Sequence, residues 1–219
     1  NAARRLLDAN FTVPGGFTFL RSGPPVMEWS EQQIADFIKY KDVLYTCASI
    51  DYPRYEGHYT HGTSFQMVDH SSYIAAREQR KRLAPDSKYL VYFHCFIDVT
   101  GDGPERFKDS RLLMPDGYFP TETNSFGKEI GKNVDVILDK IGADGVYWDE
   151  HEYSRYHYHY GEPWDGVSGD IDATTHDVSR LKSSVTLLTE SWRLALAKKI
   201  LARGPMIGNG PAVTRARAA

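Results

Sequence analysis

At 219 residues the chain exceeds a typical domain of roughly 100 to 150 and falls short of the roughly 250 of a complete eight-stranded β/α barrel, so it reads as one domain and as a piece of a longer protein. The net charge of -3, with Lys and Arg scattered and not gathered into a stripe, argues against a nucleic-acid partner. No apolar run approaches the roughly 20 residues that span a bilayer, which argues against a membrane partner, and the only cysteines, Cys47 and Cys95, sit inside apolar runs as small thiols.

In chain order, a helix-like run at Ala2 to Ala9 is followed by a candidate strand at Gly16 to Arg21. Ser30-Glu-Gln-Gln33 has the form of a capping box, and Ile34, Phe37 and Ile38 then fall at helical spacing, which predicts a helix over 31–41. The apolar run Val43 to Ile50 predicts a strand, Ser71 to Leu83 a weaker helix, and Tyr89 to Ile97 a second buried strand. A helix starting at Asn124 or Ser125 buries Phe126, Ile130, Val134, Ile137, Leu138 and Ile141 and stops at Gly142. Gly145 to Asp149 predicts a third strand. Leu181, Val185, Leu188, Trp192 and Ala195, at alternating steps of four and three, predict a long helix from Val178 to Ala202, and Met206 to Asn209 a fourth strand. Strands alternating with helices, and apolar runs in place of alternation, predict an α/β fold: a parallel (β/α) barrel of TIM type, incomplete in this chain and forming a single domain over 1–219.

The connections leaving strands are long (51–69, 98–124, 150–177) and those entering them short, and parallel folds build their sites in the loops at strand carboxyl ends. The segment Gly142-Ala-Asp-Gly-Val-Tyr-Trp-Asp-Glu-His151 leads from a helix cap through a strand to three polar residues. Period-two alternation puts Gly145, Tyr147 and Asp149 on one face and Val146 and Trp148 on the other. A carboxylate at Asp149 suits a nucleophile or a substrate-orienting group, and Glu150, one position into the loop, suits a proton donor.

This segment, with the helix before it, resembles the strand ending in Asp or Asp-Glu of several barrel glycoside-hydrolase families. The resemblance to α-galactosidase-like and α-glucosidase-like barrels implies that Asp149 is the nucleophile. The resemblance to substrate-assisted hexosaminidases implies instead that Asp149 orients the substrate's acetamido group and Glu150 is the general acid.

The following loop is dense in Tyr, Trp and His, and aromatic faces stack on sugar rings. Tyr156, Tyr158, Tyr160 and Trp164 are its stacking candidates. Asp51, His94, Tyr147, His151, Tyr156, Tyr158, Trp164 and Asn209 are the substrate-binding candidates. The expected function is a glycoside hydrolase acting on an oligosaccharide or glycoside, with no cofactor, and with the remainder of the parent chain as a partner. The alternatives are a non-catalytic carbohydrate-binding barrel and a metal-dependent hydrolase, the latter suggested by His157 and His159 with His58, His61 and His151 in loops. Asp98-Val-Thr-Gly-Asp-Gly103, with Asp109 at position twelve, partly follows calcium-loop spacing, though a plain Gly-rich turn is favoured.

Overall fold

In the computed structural model, which describes residues 16–20, 29–151, 158–210 and 214, Ser30 caps the first helix, α1 (Glu31–Tyr40). Its hydroxyl accepts the Gln33 N–H at 3.3 Å, and the Gln33 side chain accepts the Ser30 N–H at 2.8 Å. The reciprocal pair satisfies donors that a helix start otherwise leaves open. Ile34 and Ile38, one turn apart, bury against Leu20 and Val43, which seats α1 on the first two strands, β1 (Gly16–Phe19) and β2 (Val43–Ala48). Next come α2 (Ser71–Leu83), β3 (Lys88–Phe93) and a helical run made of α3 (Ser125–Ile130), α4 (Lys132–Asp135) and a wider-turned segment, Val136–Ile141. Asn124 caps α3 by accepting the Gly127 N–H at 2.8 Å. The run stops at Gly142, where φ is 71° and the N–H groups of Gly142 and Ala143 both turn back to the Ile137 carbonyl. Glycine reaches that left-handed conformation at little cost.

β4 (Gly145–Trp148) follows at once, and β8 (Met206–Gly208) is the last strand of the main sheet. The order is β1-β2-β3-β4-β8, every pair parallel. Gly145 is required by the packing of β4 against the turn before β8, because a Cβ there would lie 2.0 Å from the Pro205 carbonyl oxygen. On one face Ala48, Val91, Phe93, Val146 and Trp148 join Phe126, Ile130, Val134, Ile137, Trp192 and Ile200 of the helices in the main core. Cys47, Leu90 and Tyr147 form a smaller cluster on the opposite face, with Tyr92 and Ile207 packed against it.

The expected TIM-type (β/α) barrel is not formed. The parallel strands make an open, curled five-stranded sheet with β1 and β8 at its edges. A barrel closes only when every strand is paired on both sides, and among the described residues these two are paired in this sheet on one side each. Between β4 and β8 the chain builds a second, antiparallel sheet from β5 (Tyr158–Tyr160), β6 (Gly169–Ile171) and β7 (Val178–Ser184), in the order β5-β7-β6.

The long helix expected from Val178 is corrected by the same observation. Residues 178–184 are the central strand of this small sheet, and the helices begin only at α5 (Val185–Leu188) and continue as α6 (Glu190–Leu201). The step of four from Leu181 to Val185 crosses a strand-to-helix junction and is not a helical turn. The helix-like run Ala2 to Ala9 lies outside the described residues.

Candidate functional site

The site grows out of the carboxyl end of β4. The Asp149 N–H donates to the Phe93 carbonyl at 2.8 Å and the Asn209 N–H to the Trp148 carbonyl at 2.9 Å, so the ladder with β3 and the ladder with β8 each run one residue past their strands. Alternation puts Trp148 in the helix-backed core and Tyr147 on the opposite face, as the sequence spacing predicts. Register sets Tyr92 of β3 directly beside Tyr147, with ring centroids 5.9 Å apart. The Tyr92 hydroxyl donates to Asp149 Oδ2 at 2.6 Å. Asn209 Nδ2 donates to Oδ1 at 2.6 Å, and the Glu150 N–H donates to the same oxygen at 3.0 Å.

Burial by itself pushes the Asp149 carboxyl toward its neutral form. The hydrogen bonds from Tyr92 and Asn209, the neighbouring His94 and the Glu150 N–H outweigh it and hold the group below the ordinary aspartate range. Asp149 is therefore a carboxylate at neutral pH. Burial pushes the Tyr92 phenol far up, and the hydrogen bond to Asp149 adds to this, so it stays a donor. Tyr147 is pushed up to about 12 by burial, then by the charge of Asp149 and by Cys47.

A depressed carboxyl pKa means that the unfolded chain binds the proton more readily. Its stabilisation is present above the unfolded value near 3.9 and is lost as pH falls through the lower folded value. The midpoint of thermal unfolding is expected to drop as pH is lowered below about 4, and to drop less steeply in Asp149→Asn. Parallel acid profiles for the two proteins, followed by circular dichroism, would count against this assignment.

Glu150 has φ of 50°, a left-handed conformation that costs a side-chain-bearing residue about 1–2 kcal/mol. Its Oε2 lies 3.4 Å from Nε2 of His94, which follows the end of β3 and is buried. His61, from the loop after β2, sets its ring 5.6 Å from that of His94 and 6.1 Å from that of Tyr92. These three side chains help to line a narrow cavity with Ile50, Thr60 and Phe65.

The other expected site residues divide. Tyr147 is buried, with Phe17 stacked at 5.2 Å and Phe19 edge-on at 4.9 Å. His151 packs edge-on against Trp148 at 4.8 Å, and its carbonyl accepts from the buried Arg193 guanidinium, so it belongs to the core behind the site. Asp51, past the end of β2, accepts the Ser49 hydroxyl at 2.7 Å. Tyr158 and Trp164 stand on the antiparallel sheet and its turn. The Lys182 ammonium sits 3.9 Å over the Tyr158 ring, the Arg180 guanidinium 3.9 Å over that of Tyr160, and the Trp164 indole N–H donates to the Ser168 carbonyl at 2.6 Å. Cations thus occupy one face of each tyrosine. Tyr156 and His157 lie outside the described residues.

Among the described residues no group of three His, Cys, Asp or Glu side chains could hold a metal. His159 instead bonds the Glu162 carbonyl at 3.0 Å and packs on Phe119. Asp98 has Oδ2 accepting the Thr63 N–H and hydroxyl, each at 2.6 Å, and Oδ1 accepting the Thr100 N–H at 2.9 Å and the Thr100 hydroxyl. That buried carboxylate ties the loop after β2 to the loop after β3. Asp109 likewise receives the Ser125 N–H at 2.9 Å.

Two residues that the sequence reading did not assign a role do much of the organising. Tyr92 is one, and its alternation with His94 places it at the same end of β3. Asp165 is the other: it accepts the Val167 N–H at 2.9 Å and the Ser168 N–H at 2.8 Å on one oxygen, and the Ser168 hydroxyl and the Ser184 N–H, each at 2.7 Å, on the other. Asp165→Ala leaves these backbone donors unmatched and is expected to loosen the small sheet by about 1–3 kcal/mol. Hydrogen exchange should show the Val167, Ser168 and Ser184 amides losing protection while those of β3 and β4 keep theirs.

The fold and the site together define an α/β protein with a curled parallel sheet that carries an organised carboxylate at the carboxyl end of its fourth strand. Set against known protein families and against curated protein sequences, the chain matches none of them.

Proposed function

We propose that the protein is a glycoside hydrolase in which Asp149 supplies a fixed negative charge and Glu150 the proton. The observation that carries this reading is the Asp149 carboxylate, held ionised by Tyr92 and Asn209 at 2.6 Å each, with Glu150 as its immediate neighbour. A preorganised charge at a strand carboxyl end suits a reaction that develops positive charge at an anomeric carbon, whether Asp149 attacks that carbon or orients a neighbouring acetamido group. Adjacent residues do not face each other across a bond in the manner of a conventional retaining pair, roughly 5 Å apart. Of the acids beyond neighbouring strands, Asp98 is fully engaged by Thr63 and Thr100, and Asp51 accepts the Ser49 hydroxyl. This favours a division of labour within the Asp149-Glu150 pair. The substrate is an oligosaccharide or glycoside, and no cofactor is needed.

The test is hydrolysis by the full-length protein of a panel of aryl α- and β-glycosides and N-acetylhexosaminides. Turnover confined to N-acetylhexosaminides supports the orienting role of Asp149, and turnover of plain glycosides the nucleophilic one. A folded protein that turns over none of them, yet binds oligosaccharides, would make it a carbohydrate-binding protein instead.

A further inference from the structure

We propose that His94 is a positioning residue for Glu150, deciding which carboxyl oxygen carries the proton given to the leaving group; this rests on the glycoside-hydrolase reading above. The imidazole is held at Nδ1 and turned toward Glu150 at Nε2. Nδ1 accepts the Phe96 N–H at 3.2 Å, so its lone pair is committed and the ring proton resides on Nε2. Nε2 in turn faces Glu150 Oε2 at 3.4 Å, and 3% of the His94 side chain is exposed. The groups around the ring are Glu150, Asp149 beside it on the same strand end, and His61, whose ring lies 5.6 Å away.

The Nε2–H and Oε2 stand in an ion-pair contact that is longer than a hydrogen bond, and closing it makes that oxygen the acceptor. A proton on Oε2 would set two hydrogens against each other, so in the acid form of Glu150 the proton sits on Oε1. During turnover the Oε1–H bond breaks as a new O–H bond forms on the leaving-group oxygen, which keeps the electron pair of the broken glycosidic bond while the anomeric carbon passes to the nucleophile. Glu150 is left as a carboxylate whose Oε2 is still met by the His94 N–H. The proton is restored from the water that completes hydrolysis. His94 keeps its own proton throughout and orients the acid without transferring anything. Glu150 takes a left-handed backbone conformation, and its carboxyl reaches His94 just past the end of β3.

Two measurements test this on the full-length protein. Two-bond 1H–15N correlations of the histidine rings should show His94 with a protonated Nε2 and a bare Nδ1; the opposite tautomer overturns the proposal. On a glycoside identified by the panel above, His94→Leu should lower kcat by about 10²-fold for a poor alkyl leaving group. Nitrophenyl glycosides, whose departure needs little acid assistance, should be nearly unaffected, with KM unchanged for both. His94→Gln, which returns an N–H near the position of Nε2, should recover most of the loss. Equal losses on both leaving groups, or no recovery with Gln, would show a merely structural histidine. Absence of any turnover by the wild type removes the glycoside-hydrolase reading and this proposal together, whereas wild-type turnover with the wrong tautomer removes this proposal alone.

Discussion

Asp149→Asn is expected to lower kcat by about 10³-fold or more on whichever glycoside the protein hydrolyses, with ligand affinity little changed. The substitution keeps the size of the side chain and removes its charge. It also disturbs a specific hydrogen-bond arrangement. The carboxylate accepts on both oxygens, from Tyr92 on one and from Asn209 and the Glu150 N–H on the other. An amide has a single acceptor oxygen; with it toward Asn209 and the Glu150 N–H, the amide NH2 meets the Tyr92 hydroxyl, which can turn to accept, so losing the charge-assisted bonds should cost only about 1 kcal/mol of stability. The double variant Asp149→Asn/Asn209→Asp separates the position of the charge from its presence. It moves the carboxylate from the end of β4 to the residue after β8, and turnover should stay lost if the charge acts from position 149. Recovery of turnover in the double variant would mean that the charge need only be near the site, and would remove Asp149 from the chemistry.

Trp148→Ala is expected to cost about 3–5 kcal/mol of stability. The indole is fully buried on the face opposite Asp149, against Phe93 at 5.0 Å, His151 at 4.8 Å and Trp192 of α6 at 6.2 Å. It joins the end of β4 to the helix that leads into β8, so a cavity there loosens the elements that deliver Asp149 and Asn209 to each other. Its Nε1 has no hydrogen-bond partner among the described residues. Trp148→Phe therefore removes an unsatisfied donor together with some volume, and should cost only about 1 kcal/mol. Denaturant unfolding of the three proteins measures both differences. A loss of less than about 1 kcal/mol in Trp148→Ala would show that the site collapses around the gap and that the indole is not its support.

Local signals carried the reading of the elements. Ser30 and Gln33 make the capping box that their spacing requires, Gly142 takes the left-handed conformation that ends a helix, and β1 to β4 and β8 fall where apolar runs predicted strands. The placement of Asp149 opposite Trp148 was legible for the same reason, since alternation along a strand follows from backbone geometry alone. Val178 to Ser184 misled because a spacing of four between Leu181 and Val185 is consistent with a helical face, and the competing information is non-local. That strand exists because Tyr158–Tyr160 and Gly169–Ile171 supply partners on either side of it.

What the sequence by itself determined is therefore the alternation of helices and parallel strands, the chain direction at each cap, and the position of Asp149 and Glu150 at a strand's carboxyl end. These depend on residues within a turn or two of one another. Tertiary structure alone decided that the sheet stays open, that the aromatic loop folds into a sheet of its own with cations over its tyrosines, and that Tyr92 and Asn209 converge on Asp149. Strand order and register bring those last three residues together across 57 and 60 positions of chain, and no spacing along one strand encodes which neighbours its end will meet.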